Sequence, residues 1–480
     1  VLSTLVPISF TVTLKDGTGN LLTGYSLQTG SQVSPGIVNL SRTTPIKLKF
    51  SGTGVGVQNI VSRSSLNTVI TVGGLVFEAS KPFFANIRHI SGAQSGSLIA
   101  KGNAGLGTDF FTGYQFMKPS SSSVNDQESH FFSVMATEDN TSITFTNFKP
   151  GVTFYGRGVD ANVSPVKATD TTISLNKGES FVQAQEKNLM PNYSKTNDYN
   201  GIRIISDKKI AVNSGSLMAV QDGNGRDIGM DQIAPTRLAG TKYGIIRGNG
   251  NNNREKVIVV TTESGNTILT TSNGPVTING LGGHVILNDG YWNTVSTLVS
   301  GSNGHRNMVF TSDKPVMVYH TTFGADAGNT NSMNIIPPIA DCIGSDSIYV
   351  ANARQFGSSS KINIISKVGS TVYVKNQVGT VLLTIPSSAT SNFTGTSLNT
   401  HLSTAFVIPS SASDIFVHGD DKFSLGFFGA SGNAGGAGYM SSFSLTDVEI
   451  DNNTAALLNN GGVLKVDLCE VSQATIEVSE

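Results

Sequence analysis

Apolar and polar side chains alternate along most of this chain, in short runs separated by Ser, Asp, Gly and Asn. The stretch Gly201 to Pro235 shows the pattern most fully. Ile202, Ile204 and Ile205 approach a polar Ser206-Asp207-Lys208 corner, and Ile210 and Val212 leave it with period two, which predicts a β-hairpin. The same outline recurs at Leu75 to Ile87, at Met308 to Tyr319 and, more loosely, at Asp414 to Phe428. The corner lysines Lys81, Lys208, Lys314 and Lys422 stand about 110 residues apart, so the chain reads as a repeat architecture. The segment Gln221 to Gln232 has no visible counterpart and reads as a loop inserted after a repeated unit.

A second hairpin class alternates with the first. Phe131 to Thr146 carries apolar alternation on both sides of Glu138-Asp139-Asn140, and Val257 to Thr271 and Ile362 to Val374 are similar. Ile46 to Val57 reads as a degenerate first copy. The turns fall near residues 53, 80, 139, 207, 264, 313, 369 and 420, and Thr171 to Val182, His284 to Val295 and Thr380 to Ile385 add strands between them. Four antiparallel strands per unit with eight turns predict an all-β fold, a seven- or eight-bladed β-propeller. The alternative pairs one hairpin of each class into a sandwich of roughly 110 residues, giving a string of Ig-like domains. Three parts are expected: an N-terminal β segment at residues 1–45, a repeat body at 46–445, and at 446–480 the start of a C-terminal β-sandwich or stalk, where none of the hairpins recurs.

Composition supports the β reading and narrows the partners. Charged residues make up 14% of the 480, against about 25% in ordinary soluble domains. There are 53 glycines, and the chain is poor in helix formers. A net charge of −1 gives no electrostatic footprint for nucleic acid. No apolar run is long enough for a membrane-spanning helix, so no membrane insertion is expected. The first residues alternate like a strand and lack the basic flank of a signal peptide, so the chain reads as already processed or as starting internally. The two cysteines, Cys342 and Cys469, fit either one bridge or two independent thiols.

Four stretches carry a family resemblance: Lys101 to Tyr114, Ser133 to Thr141 with its A-T-E-D-N-T, Asp222 to Arg247, and Met308 to Pro338 with its S-D-K-P. Together they resemble the IgGFc-binding-protein N-terminal-like module over roughly residues 70 to 430. In its Bacteroidetes form this module heads very large cell-surface proteins, among them SprB-like gliding-motility adhesins exported by the type IX secretion system. The resemblance implies an extracellular, cell-surface location, adhesion or attachment, and contact with the type IX machinery during export. It does not identify a ligand.

Candidate chemistry is sparse. The seven histidines show no i, i+4 pair and no C-x-x-C partner, so zinc has no support. The G-N-A-G-L-G at Gly102 to Gly107 lacks the strand–turn–helix context of a phosphate loop. No G-x-S-x-G elbow occurs. In S-D-K-P the Asp caps a turn, the Pro presets φ and the Lys guards a strand edge. Asp222, Asn224, Asp227 and Asp231 place oxygen ligands among glycines, as a hard cation such as Ca²⁺ accepts; they lack the terminal bidentate Glu of an EF-hand, and a plain acidic Gly loop is the competing reading. With Arg226, the polar residues of this loop (Asp222, Asn224 and Asp227) and the aromatics Tyr291 and Trp292 are the candidate ligand-binding set, with Tyr114 as a further stacking platform.

Two functions of different class fit. The first is a non-catalytic adhesin head whose loops bind a glycan, a surface polysaccharide or a partner protein. The second is a carbohydrate-active propeller enzyme with carboxylates converging from several blades.

Overall fold

The computed structural model describes residues 1–29, 31–50, 61, 63–91, 94–114, 129–154, 166–167, 169–184, 199–219, 227–248, 250, 255–295, 305–323, 331–340, 343–355, 357, 360–393, 398–431, 434–440 and 443. Within them the fold is all-β, with antiparallel ladders, short 3₁₀ turns and no α-helix. Cys342, Cys469 and residues 446–480 lie outside the described residues.

Three strands dominate: Arg203–Ala219, His305–Phe323 and Ile415–Ser431. Each runs straight through a corner that the alternation predicts to be a hairpin turn. The corner is a bend within one strand. Asp109 pairs with Ile205 but Gly107 pairs with Ile210, so the long strand advances five residues where its neighbour advances two. The same shift recurs between Lys242↔Thr311 and Gly240↔Val316, and between Ser347↔His418 and Ser345↔Phe423. These are large β-bulges, which bend a strand and increase its twist. A bulge leaves the same local pattern as a hairpin, with polar residues between two alternating runs.

The second class of predicted hairpins resolves the same way. Ser129–Ala136 and Thr141–Thr146 do not pair with each other. Both pair with Arg203–Ala219, one on each side of its bend. Lys256–Thr261 with Asn266–Thr271, and Lys361–Lys367 with Val372–Asn376, repeat the arrangement on the next two long strands. Outside them runs a third broken line, Thr171–Leu175 and Ser180–Ala184 in the first of these sheets. Each of these three repeats is therefore two four-stranded half-sheets that share a bent strand, with apolar faces turned towards a common core. In the second repeat Phe110, Phe132, Phe145, Ile204 and Val212 fill it.

The turns near 139, 207, 264, 313, 369 and 420 thus belong to three repeats with two breaks each, rather than one to each of seven or eight propeller blades. In the first repeat the long line is interrupted: Leu75–Ala79 pairs with Phe10–Asp16, and Phe84–Ser91 with Leu2–Ser3. Residues 51–57, part of the proposed degenerate copy, lie outside the described residues.

Each repeat ends in a short strand pairing with the far half of its own long line: Gln94–Ile99, Asp227–Gln232, Asn331–Ile335 and Ala434–Met440. These four pack cyclically around a central axis, the first against the second and the fourth. The repeats form a ring rather than a string of sandwiches. Ser95 and Ser97 hydroxyls donate to the Gly435 and Ala437 carbonyls at 2.5 Å, joining first repeat to last. Arg88 adds hydrogen bonds to the Ala351 and Asn352 carbonyls at 2.8 Å.

Adjacent repeats approach so closely that side chains are excluded. Gly201, in the second repeat, has φ +83°, and a Cβ there would lie 1.8 Å from the Gly282 carbonyl oxygen of the third. Gly201→Ala should therefore cost about 2 kcal/mol or more, combining left-handed strain with a backbone clash. Gly19→Ala, at the same φ with nothing within 4 Å, should cost only about 1 kcal/mol. Denaturant midpoints of the two variants check this, and equal losses would remove the close approach as the cause.

Candidate functional site

Two clusters of buried charged side chains stand out among the described residues. At the axis, the second repeat's terminal strand has one edge paired and the other facing its neighbours. A free strand edge presents unpaired N–H groups that must find partners when buried. Asp231 supplies them. Its Oδ1 accepts from Ile99 N–H at 3.4 Å and its Oδ2 from Ile335 N–H at 3.1 Å, so one carboxyl serves the first and third repeats. Lys101 Nζ donates to Asp231 Oδ1 at 2.7 Å and to the Ile99 carbonyl at 2.9 Å. The two side chains are 1% and 0% exposed. Burial lowers the Lys101 pKa and raises that of Asp231, outweighing the attraction between them. Gln232 completes the cluster by accepting from Lys101 N–H at 2.7 Å.

The second cluster lies where the third repeat meets the fourth. Glu255 precedes the strand Lys256–Thr261 and is fully buried. Its carboxylate accepts from Gly248 and Gly250 N–H, each at 2.6 Å, and meets His320 Nε2 at 2.9 Å. Burial pushes its pKa up, but the His320 contact, Lys361 and the Gly248 N–H outweigh it and hold the carboxyl below its ordinary value. Lys361, from the fourth repeat, donates to the Arg247 and Gly248 carbonyls at 2.9 and 2.6 Å. Burial pushes its pKa down to about 8, against the opposing pull of Glu255.

The residues singled out from the sequence are divided by the fold. Asp222, Asn224 and Arg226 lie outside the described residues. Asp227 opens the second axial strand, with its Cα paired to Ala219. Asp231 ends as a buried edge cap and lysine partner, which removes it from a loop-borne Ca²⁺ set. Trp292 is a correction as well: it is 5% exposed, donates from Nε1 to the Glu255 carbonyl at 3.2 Å, and packs 5.6 Å from the His320 ring, so it presents no stacking face. Tyr291 is half-buried against the same core. Tyr114 is fully buried with its ring 3.9 Å from His130 and is no platform either. The segment Gln221 to Gln232 is not unique, because its second half is one of four equivalent axial strands.

A shallow cleft lies beside the bend of the fourth repeat, lined by Ile339, Ile365, Lys367, His401, Lys422 and Phe423 among others. Lys367 there pairs with Asp421 at 3.3 Å. Among the described residues, no three His, Cys, Asp or Glu side chains come together as a metal site.

The family described as IgGFc binding protein matches residues 95–429, more than two-thirds of the chain. The chain belongs to this family. No curated protein matches it. The family match opens inside the first axial strand and closes inside the fourth long strand, so it takes in the second and third bent sheets whole and the fourth without its axial strand. No helix among the described residues is long and apolar enough to cross a membrane.

Sequence reasoning missed Lys101, Glu255, His320 and Lys361. Lys101 stood beside a glycine run and was passed over with it. His320 sits inside an alternating run, M-V-Y-H-T-T, where a burial signal was available. Removing one partner of a buried charged pair costs about 3–5 kcal/mol, and Glu255→Ala should lose an amount of this order. A carboxyl whose folded pKa is depressed contributes stability above its unfolded value, lost as pH falls through the folded one. Wild-type stability should therefore decline below the ordinary glutamate value of 4.5, with a shallower slope in Glu255→Ala. Denaturation midpoints across acidic pH measure both, and parallel slopes would refute the assignment.

Proposed function

We propose that this chain is a non-catalytic binding head of an extracellular, cell-surface protein, and that it engages a protein partner through the connections at one end of its axis. The observation that carries this is family membership over the ring-forming repeats, in a family named for binding a protein. The geometry supports the location. The axial strands run in the same direction, since Ile99 and Ile335 meet Asp231 at one end while Ser95 meets Gly435 at the other. The connections from long line to axial strand therefore leave from the same end in all four repeats. In the first and fourth they are residues 92–93 and 432–433; in the second and third they are the longer 220–226, V-Q-D-G-N-G-R, and 324–330, G-A-D-A-G-N-T. Loops on a rigid scaffold are where binding is usually placed. Each long connection carries one Asp, one Asn and two Gly, and Asp222, Asn224 and Arg226 belong to the first of them.

The finer reading is an adhesin serving attachment or gliding, with a surface glycan or polysaccharide as the competing ligand and Ca²⁺ as a candidate organiser of the long connections. Replacing 220–226 with the two-residue Gly432-Asn433 connection should leave the circular dichroism and melting temperature of the head unchanged. It should reduce the attachment of head-coated beads to partner surfaces, immobilised Fc among them, by tenfold or more. Near-neutral charge predicts that binding falls only slightly between low and physiological salt. Undiminished attachment removes the connection from the site, and turnover of a polysaccharide by the purified head overturns the non-catalytic reading.

A further inference from the structure

The Lys101–Asp231 pair has a feature that the Glu255 cluster lacks. A primary amine touches a carboxyl at 2.7 Å with both side chains sealed from water, and every hydrogen bond that an amide between them would need is already present. The amide N–H would donate to the Ile99 carbonyl, which Nζ already contacts at 2.9 Å. The amide oxygen would be Oδ2, which already accepts from Ile335 N–H at 3.1 Å. The carboxyl carbon is one covalent bond beyond Oδ1. We propose that Lys101 and Asp231 are joined by an intramolecular isopeptide bond that covalently ties the first repeat to the second across the axis.

The step is a condensation and balances without a co-reactant. The ammonium passes a proton along the short bond to Oδ1, giving an amine and a carboxylic acid. Burial of a charged pair in a dry interior favours this neutral form, in the direction in which both groups are already displaced. The nitrogen lone pair then adds to the carboxyl carbon. Charge that develops on Oδ2 is met by the Ile335 N–H, placed as an oxyanion donor is. The C–Oδ1 bond breaks as Oδ1 takes a second proton from nitrogen and leaves as water. The product retains one N–H and one carbonyl oxygen, each with the partner named above. The pair lies one strand away from the Ser95 and Ser97 contacts that close the ring onto the fourth repeat. A covalent tie here would hold the two ends of the second repeat together under load, whatever the head binds.

Intact-mass spectrometry of the full chain, unfolded and reduced, should show one water less than the sequence requires. Tryptic digestion should then yield a branched peptide in which Lys101 is uncleaved and bonded to the Asp231 side chain. Lys101→Arg keeps the cation and removes the nucleophile, so its mass should equal its sequence. Asp231→Asn should reach the same branched product by losing ammonia instead of water. A wild-type chain at its unmodified mass would mean an ion pair only and overturn the proposal. A one-water deficit that persists in Lys101→Arg, as an aspartyl succinimide would give, overturns it equally. The wild-type measurement decides the matter even where a variant fails to fold.

Discussion

Three neighbouring lines of chain must bend at the same level, and the rest of the structure depends on it. A strand of 17 or 19 residues can serve two packed half-sheets only if it turns a corner, and a corner strips ladder hydrogen bonds from itself and its neighbours. The second repeat restores them with side chains. Ser142 N–H donates to Asp207 Oδ1 at 2.8 Å, Lys208 Nζ to the Asp139 carbonyl at 2.5 Å and Thr137 Oγ1 to the Lys209 carbonyl at 2.5 Å. The third repeats this with Ile268 N–H on Asp313, Lys314 on the Ser264 carbonyl and Thr262 on the Pro315 carbonyl, and the fourth with Thr371 N–H on Asp420. The two motifs A-T-E-D-N-T and S-D-K are thus halves of one interaction, facing each other across the bend. Each half supplies donors and acceptors that the other lacks at the bend, which explains why both halves occur together.

The corner is also where the sequence was most easily misread. Alternation located strands on each side: Val381–Ile385 falls where the pattern put it, while the single strand expected over Thr171 to Val182 is broken into Thr171–Leu175 and Ser180–Ala184. It could not distinguish a bulge from a hairpin, since both show polar residues between two apolar runs. One signal was available. Two-residue hairpin turns need positive φ, supplied by Gly or Asn, and neither Ser206-Asp207-Lys208-Lys209 nor Ser312-Asp313-Lys314-Pro315 contains one. Asn140, which does have φ 53°, sits in the break of the neighbouring line. The 110-residue period was legible and marks one repeat per bend. The blade count failed because each repeat contributes two breaks.

The site was less legible than the fold, for a different physical reason. Lys101 and Asp231 meet between the first and second repeats, and Lys361 of the fourth comes to Glu255 and His320 of the third; no local spacing encodes either meeting. Asp231 illustrates the difficulty: among Gly and Asp it reads as a loop ligand for a cation, but its position near the end of an axial strand makes it the acceptor for two foreign N–H groups. Trp292 and Tyr114 misled in the opposite direction. A lone aromatic beside polar residues suggests a platform, whereas here each fills a junction between elements.

The axis itself limits where function can reside. Its strands read Q-S-G-S-L-I, D-I-G-M-D-Q, N-S-M-N-I and A-G-G-A-G-Y-M, with small residues where four backbones converge. A Cβ on Gly96 would lie 2.5 Å from the Ile228 carbonyl oxygen, and one on Gly438 would lie 2.3 Å from Ile99 Cγ1. Packing this close leaves no room for a ligand at these contacts between the axial strands. The carboxyl and lysine described there, Asp231 and Lys101, are taken up by strand edges and by each other. Connection length is what differs from repeat to repeat, two residues in the first and fourth and seven in the second and third, while the three bends and the axis recur.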